Sequence, residues 1–377
     1  MKKIAIIGCG ISGLYFANRL QNNKDYDYII YEKKSEINLN DGYGIQLSVN
    51  CIRLLNEIGF KNVVASEVFF PNKVNFFDAK SNKKICEINI AKFNNLNERY
   101  TTLKRSSLIK FLLSNIPTEK IKNNTELISI EQRQKIKLSL SNNLVEEFDY
   151  LIVSDGVFSK TKSIILDRDT SPKFFNSIAL RGNIRNIENN DISLYLGANF
   201  HFVIYPLNQN NEFNFISIIE KKLSKNEILQ ENNFENTEYL KSLINEISQK
   251  TSLNLKDKLE NIKAFPIFVS KKFETYKFKN IYFIGDALFA FPPSFAQGAS
   301  QSIEAGKEAF EEINNQTNNY YKRRGIRIKK VDLRSKLNNF IFHLSNPITI
   351  FFRNLILKTF ANNKNFLDHY LGKIYKD

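Results

Sequence analysis

Three short clusters in this sequence carry groups suited to holding a large, phosphate-bearing molecule. The first is Gly8-Cys9-Gly10-Ile11-Ser12-Gly13, which follows the apolar run 4–7. Gly8 suits a tight turn, Gly10 lets the backbone approach a pyrophosphate, and Gly13 lets a helix pack close to its strand. Free N–H groups at the start of such a helix favour phosphate charge by roughly 0.3–2 kcal/mol. Glu32 stands 19 positions after Gly13, at the end of a second apolar run, with Lys33 beside it. A carboxylate there accepts hydrogen bonds from ribose hydroxyls and repels a 2′-phosphate. Cys9 reads as a small filler of the turn. The second cluster is the apolar strand 151–153 running through Ser154 into Asp155-Gly156. The third is the strand 281–284 running into Gly285-Asp286, followed by Phe291-Pro292-Pro293 and Gln297-Gly298-Ala299. Between the first two lies Leu103-Lys104-Arg105-Ser106-Ser107-Leu108. A glycine-rich turn that only packs is the bland alternative; strand, helix and acid together favour a dinucleotide.

These clusters need strands to end at them and helices to leave from them. The pattern predicts a buried strand at 4–7, a helix over 11–21 and a second buried strand at 28–31, a β-α-β unit. A helix is expected over 50–58, stopped by Gly59, and β structure over 67–90. Another helix is expected to start near Ser106 and Ser107, as N-cap residues, with strands at 126–131, 135–140 and 148–153. Residues 174–220 alternate as an antiparallel sheet does, and 225–262 are polar with helical patches. A strand at 281–284, a helix over about 298–313 and a helical tail from Lys322 complete the chain.

Composition removes several function classes. The 377 residues suggest two domains, large enough to need no disulfide or metal. Cys9, Cys51 and Cys86 form no CxxC pair, which argues against a disulfide scaffold or zinc ribbon and for a reducing cytoplasm. His201, His343 and His369 lack metal-ligand spacing, so no metal is expected. No apolar run reaches the ~20 residues of a membrane span, and the glycines at 8, 10 and 13 rule out reading the start as a signal peptide. The net charge of +15 invites an anionic partner, but no nucleic-acid module accompanies it, so no nucleic acid is expected.

Taken in order, GxGxxG, Arg105-x-x-Leu108, strand-Asp155-Gly156 and strand-Gly285-Asp286 with Pro293 and Gln297-Gly298-Ala299 resemble the class A FAD-dependent aromatic monooxygenases, of the p-hydroxybenzoate, salicylate and 3-hydroxybenzoate hydroxylase type. The stretch from Gly42 to Asn50, and Arg181-Gly182 with the run 201–207, resemble the salicylate hydroxylase branch. The resemblance implies an α/β fold: a Rossmann-like FAD-binding domain (1–70, 101–170 and 275–320), an intertwined β-sheet substrate domain (71–100 and 171–274) and a C-terminal helical tail (321–377). It implies FAD as cofactor and NAD(P)H as co-substrate. It implies hydroxylation of a phenolic or other small aromatic substrate with O2 through a flavin C4a-hydroperoxide. Asp286 would accept from a ribityl hydroxyl, Arg105 would reach the pyrophosphate or ribityl chain, and Asp155-Gly156 would hold FAD and the NAD(P)H pyrophosphate. Gly298 and Ala299 would turn N–H groups toward the flavin edge that becomes negative on reduction. Ile11, Ser12, Lys33, Leu127, Gly285 and Pro293 complete the expected cofactor set. The absence of a second GxGxxG argues against the two-domain disulfide-reductase type. The family's Gly-Asp-Ala-(Ala/Ser)-His reads Gly285-Asp286-Ala287-Leu288-Phe289 here.

On the substrate side, Gln46, Arg181, His201 and Tyr205 are the candidate catalytic residues. Arg181 suits a substrate carboxylate bidentately or is a strand-edge surface arginine. His201 is a base near neutral pH or a packed, satisfied residue, and Tyr205 is a substrate contact or a core tyrosine. Phe289, Phe291 and Phe295 are expected in the core beside the flavin loop. Epoxidase, halogenase or reductase chemistry on the same fold remains an alternative, the halogenase weakened because the chain has no tryptophan. Lys322, Arg323, Arg324, Arg327, Lys329, Lys330, Arg334 and Lys336 precede an apolar stripe from Phe340 to Ile356, interrupted at Pro347. The tail therefore either packs on the FAD domain with its cations solvated or touches an anionic membrane, which would suit a lipid-linked quinone precursor.

Overall fold

The computed structural model describes residues 1–376 apart from 22, 38, 40–42 and 231–233. Gly42 lies outside the described residues. A five-stranded parallel sheet orders its strands Ile281–Phe283, Tyr150–Val153, Lys2–Ile7, Tyr26–Tyr31 and Ile121–Lys122. Ile4, Ile6, Leu151, Ile152, Val153, Ile281 and Phe283 are fully buried. Continuous burial without in–out alternation marks a sheet covered on both faces. Ile7 pairs in register with Val153 and Tyr31, and Val153 with Phe283. The chain thus leaves all four strands at one edge, which gathers Gly8, Glu32, Asp155 and Gly285 there. Open α/β sheets bind ligands at that carboxyl edge.

A seven-stranded sheet follows the order Leu259–Val269, Lys173–Ile184, Phe213–Glu220, Phe200–Pro206, Ile192–Gly197, Lys73–Asp78 and Lys84–Asn89. The pairing of Ile192–Gly197 with Lys73–Asp78 is parallel and the other pairings are antiparallel. Two strands from the first quarter of the chain thus complete a sheet built mainly after residue 170. A buried cluster that includes Ile90, Tyr100, Ile192, Tyr205, Phe295, Val331 and Tyr375 welds this sheet to the 291–297 loop and to the tail.

Three local expectations need correction. Ser106 and Ser107 do not cap a helix: the strand Thr101–Lys104 runs straight into the helix Arg105–Ser114, so both serines sit in its first turn and Ser107 Oγ donates to Glu67 instead. The expected strand 148–153 divides, Val145–Phe148 joining a small antiparallel sheet and Tyr150–Val153 the parallel one. The polar stretch to 262 ends inside the strand Leu259–Val269, an edge strand that tolerates Pro266 and exposes Lys263-type alternation to water.

Three helices close the molecule. An acidic helix, Gly298–Asn315, packs on the first helix, Ile11–Leu20. A basic helix, Tyr320–Phe342, clamps the acidic one: Arg324, 1% exposed, donates to Glu308 at 2.9 Å and Gln301 at 2.8 Å, and Arg327 forks onto Glu304 at 2.7 and 2.9 Å. Removing one partner of such a buried pair costs about 3–5 kcal/mol. An apolar helix, Pro347–Ala361, begins with proline at its first position, where no N–H is needed, and is capped by Asn346. No helix among the described residues is long and apolar enough to cross a membrane.

Candidate active site

Two cavities meet at the carboxyl edge of the parallel sheet. The smaller, about 270 Å³, is lined by Gly8, Gly10, Glu32, Lys33, Arg105, Leu127, Asp155 and Gly156. The larger, about 940 Å³, is lined by Gln46, Arg181, His201, Tyr205, Asp286, Pro293, Gly298 and Ala299. They abut along one loop, where Gly156 and Phe158 face the first and Val157 the second. Ile11, Ser12 and Gly13 line neither cavity, and Gly285 lines only a small crevice behind the loop.

The smaller cavity has a backbone floor. Gly8 has φ +99°, a left-handed value that glycine adopts without strain. A Cβ on Gly13 would stand 2.3 Å from the Gly8 carbonyl oxygen and 2.6 Å from Ser154 Oγ, whereas one on Gly10 would meet nothing within 4 Å. The turn is therefore packed shut behind and open in front. Glu32 accepts from the Cys9 N–H at 2.9 Å and the Lys34 N–H at 3.0 Å, which fixes its carboxylate at the rim. Cys9 is buried, and burial with the nearby Glu32 pushes its thiol up to about 12, an inert filler. Asp155 accepts from the Thr161 N–H through Oδ2, while its buried Oδ1 has no hydrogen-bond partner. Burial raises its carboxyl above the ordinary range, against the hydrogen bonds of Ser159 and Thr161.

Asp286 lines the larger cavity and its side chain is exposed to that space. Burial pushes its carboxyl up to about 6, opposed by the charge of Arg105. The orphaned Asp155 oxygen, the Asp286 carboxyl open to the cavity and the open face of Gly10 all fit the hydroxyls and pyrophosphate of FAD. Asp286 would hold a ribityl hydroxyl, Glu32 the ribose, and Arg105 the pyrophosphate. Gly298 and Ala299 open the acidic helix beside Asp286, and that helix has no acid in its first turn. Its positive end faces the cavity without an internal counter-charge.

The wall opposite is a tyrosine–glutamine cluster. Tyr100 donates to Gln46 Oε1 at 2.8 Å, and Tyr205 also hydrogen-bonds Gln46. Burial raises the phenols of Tyr100 and Tyr205 far above their ordinary value, so both stay protonated. Arg181 is half-buried in this wall on a strand flanked on both sides, which removes the strand-edge surface reading. Burial lowers its pKa, Tyr205 counteracts this, and Arg105 lowers it further. His201 is 3% exposed, its Nδ1 lies 2.8 Å from His343 Nε2, and its ring packs edge-on to Phe342. Burial and the neighbouring His343 hold it well below the usual histidine value, and burial takes His343 down to about 4. The geometry favours the packed reading of His201. Leu288 and Phe289 are buried, and Phe295 joins the core cluster of the tail.

Sequence reasoning missed Tyr100, Tyr375 and His343. Tyr375 stacks obliquely on Tyr100 with ring centres 5.9 Å apart, yet the two are 275 positions apart and neither sits in a motif. No short-range signal marks them.

No model of a known protein family matches the chain. An FAD-dependent monooxygenase of Gibberella moniliformis is 25% identical over 339 residues, 80% of this chain and 74% of the relative. The structure of Klebsiella pneumoniae HpxO with FAD and uric acid superposes with a TM-score of 0.79 at 15% identity, covering 99% of this chain and 96% of that one. A salicylate hydroxylase substrate complex superposes with a TM-score of 0.76 at 15% identity, covering 100% and 95%. The chain is accordingly a homologue of the FAD-dependent monooxygenases, a flavoprotein enzyme on the class A flavin hydroxylase fold.

Proposed function

We propose that this enzyme is a single-component, NAD(P)H-dependent hydroxylase of a phenolic or related aromatic ring. The observation that carries this reading is the junction of a nucleotide-type cleft with a large, mainly apolar cavity that Asp286 and the acidic-helix N-terminus line. Bound FAD, reduced by NAD(P)H, supplies the transfer of one oxygen atom of O2 to an electron-rich ring.

The protein's own part is binding, orientation and dryness. Glu32, Asp155, Arg105 and Asp286 hold the polar length of the cofactor. Gly298 and Ala299 present N–H groups and a helix dipole to the ring edge that gains negative charge. Arg181 positions an anionic group of the substrate, such as a carboxylate or phenolate, and stabilises it. Tyr205, kept protonated by burial and oriented by its hydrogen bond with Gln46, donates a hydrogen bond to a substrate oxygen. Val203, Ile216 and Phe291 exclude water from the ring. One structural relative is a complex with uric acid and the other a salicylate hydroxylase with its substrate, which supports a compact ring with an acidic oxygen.

The test is direct. Purified protein is expected to carry a flavin spectrum and to oxidise NAD(P)H in air faster with a suitable phenol, yielding a hydroxylated product. A colourless protein that added FAD fails to stabilise would refute the reading. Stimulated oxidation that makes only peroxide across a panel of phenols would refute the hydroxylation step.

A further inference from the structure

The cavity continues past its catalytic wall to the tail. We propose that the outer faces of the basic and apolar helices dock on an anionic lipid bilayer, with the cavity mouth at the lipid. On the hydroxylase reading, the substrate is then an aromatic ring bearing an apolar chain.

The apolar helix is inside out. Its only buried residue is Arg353, while Ile348, Phe351 and Leu355 are 67, 65 and 53% exposed. These side chains recur at three- and four-residue spacing and so share one face. Leu333 and Phe340 of the basic helix, 68 and 66% exposed, extend the patch. A phenylalanine buries about 150–250 Å² when covered. The four exposed phenylalanines of this hairpin, Phe340, Phe351, Phe352 and Phe360, and their aliphatic neighbours exceed the few hundred Å² that monomers ordinarily show.

The patch and the cavity share side chains. Leu337, Phe340, Phe352 and Ile356 line the large cavity and are also 44–66% exposed. The inner wall therefore runs onto the outer face through apolar side chains, with Asn338, Thr349 and Arg353 as the polar groups of these helices in the same lining. An apolar chain on the substrate gains contact area along such an entrance.

Charge selects the occupant. Residues 321–377 hold 13 Lys and Arg against 3 Asp, so this segment carries +10 of the chain's +15. Arg323, Arg324 and Arg327 are committed to glutamates of the acidic helix. Lys329, Lys330 and Lys358 are exposed on the same two helices as the patch, and Lys336, also exposed, pairs with Asp332. A second copy of the chain would oppose these cations to their own kind. An anionic bilayer accepts both the cations and the apolar face. The apolar helix spans about 22 Å at 1.5 Å per residue, short of a ~30 Å hydrocarbon core, so it lies on the membrane rather than through it.

The test uses the full-length holoprotein with mixed phosphatidylcholine–phosphatidylglycerol vesicles and with pure phosphatidylcholine, in a sedimentation assay. Binding to the mixed vesicles is expected to be about tenfold tighter and to weaken with salt. The double variant Phe351→Ser, Leu355→Ser is expected to lose about tenfold in binding, with flavin content and melting temperature unchanged. A yellow, folded wild type that stays in the supernatant would overturn the docking and leave the flavin reading intact. So would a patch-dependent dimer that ignores vesicles, which would assign the face to a second copy. A colourless protein that still sediments would overturn the flavin reading alone. For the substrate class, perturbation of the flavin absorbance should show a long-chain alkylphenol binding at least about tenfold tighter than phenol. Equal affinity, or no binding of either, would overturn the apolar-chain assignment.

Discussion

The nucleotide cleft is lined by backbone and by polar groups within a few residues of strand ends, whereas the large cavity is lined by side chains drawn from the whole length of the chain. In the first, Gly8 and Glu32 follow directly on two strands of one sheet and Asp155 stands two residues past the end of a third. In the second, Gln46, Tyr100, Arg181, Tyr205, Asp286 and Tyr375 come from six separate segments. The cleft therefore depends on local backbone geometry, and the cavity on correct long-range packing. Variants should separate the two.

The largest effect is expected at the cleft floor. Gly13→Ala places a methyl group 2.3 Å from a backbone oxygen, so the turn must shift. Overpacking of this kind costs about 1–3 kcal/mol or more, and both flavin content and melting temperature should fall together. A stable, yellow Gly13→Ala protein would break the account of the turn. Next is Asp286→Ala, which removes the acceptor proposed for the cofactor. Loss of a hydrogen bond to a charged group costs about 1.5–3 kcal/mol, so flavin dissociation, followed by fluorescence, should be roughly 10- to 150-fold more favourable. Arg181→Met belongs to the cavity alone: kcat/KM for an acidic aromatic should fall by about 10- to 100-fold with flavin retention unchanged. Loss of flavin in this variant would show that the two regions are not separable.

The pH dependence gives smaller effects. Asp286 is raised to about 6 in the folded protein. A carboxyl raised by folding leaves stability intact below its unfolded value, near about 4, and costs stability once ionised, as pH rises through about 6. Flavin-free Asp286→Asn should therefore melt higher than flavin-free wild type at neutral pH and match it near pH 4. No difference at neutral pH would break the desolvation argument. Smallest is His201→Asn. Because His201 is held neutral through the physiological range, the pH profile of kcat/KM should keep its shape between about pH 6 and 8. Loss of an inflection there would restore His201 as a base.

The same contrast explains what was legible. Gly8, Gly10, Glu32, Asp155 and Asp286 carry their meaning in short-range spacing, because a turn, a helix start and a carboxylate must follow a strand in fixed order. The parallel sheet followed from the same signals. The strand Leu259–Val269 was missed because an edge strand carries polar residues and a proline that blur alternation. His201 was legible as a residue but not as a pair, since His343 reaches it from 142 positions away. Tyr100 and Tyr375 had no signal at all, because aromatic residues are abundant in this chain and only the docked tail selects these two.

The Tyr375 contact also bears on how the enzyme is made. Phe93 and Tyr100 find their partner ring only after residue 375 has emerged. At 5–20 residues per second, that interval is roughly 14–55 s. Until then Ile90, with Val74 and Ile88 beside it, lacks the cover that Leu371, Ile374 and Tyr375 supply to this cluster. The chamber thus closes only once the tail has docked, and a nascent chain stalled before residue 375 is a client for chaperones rather than a catalyst.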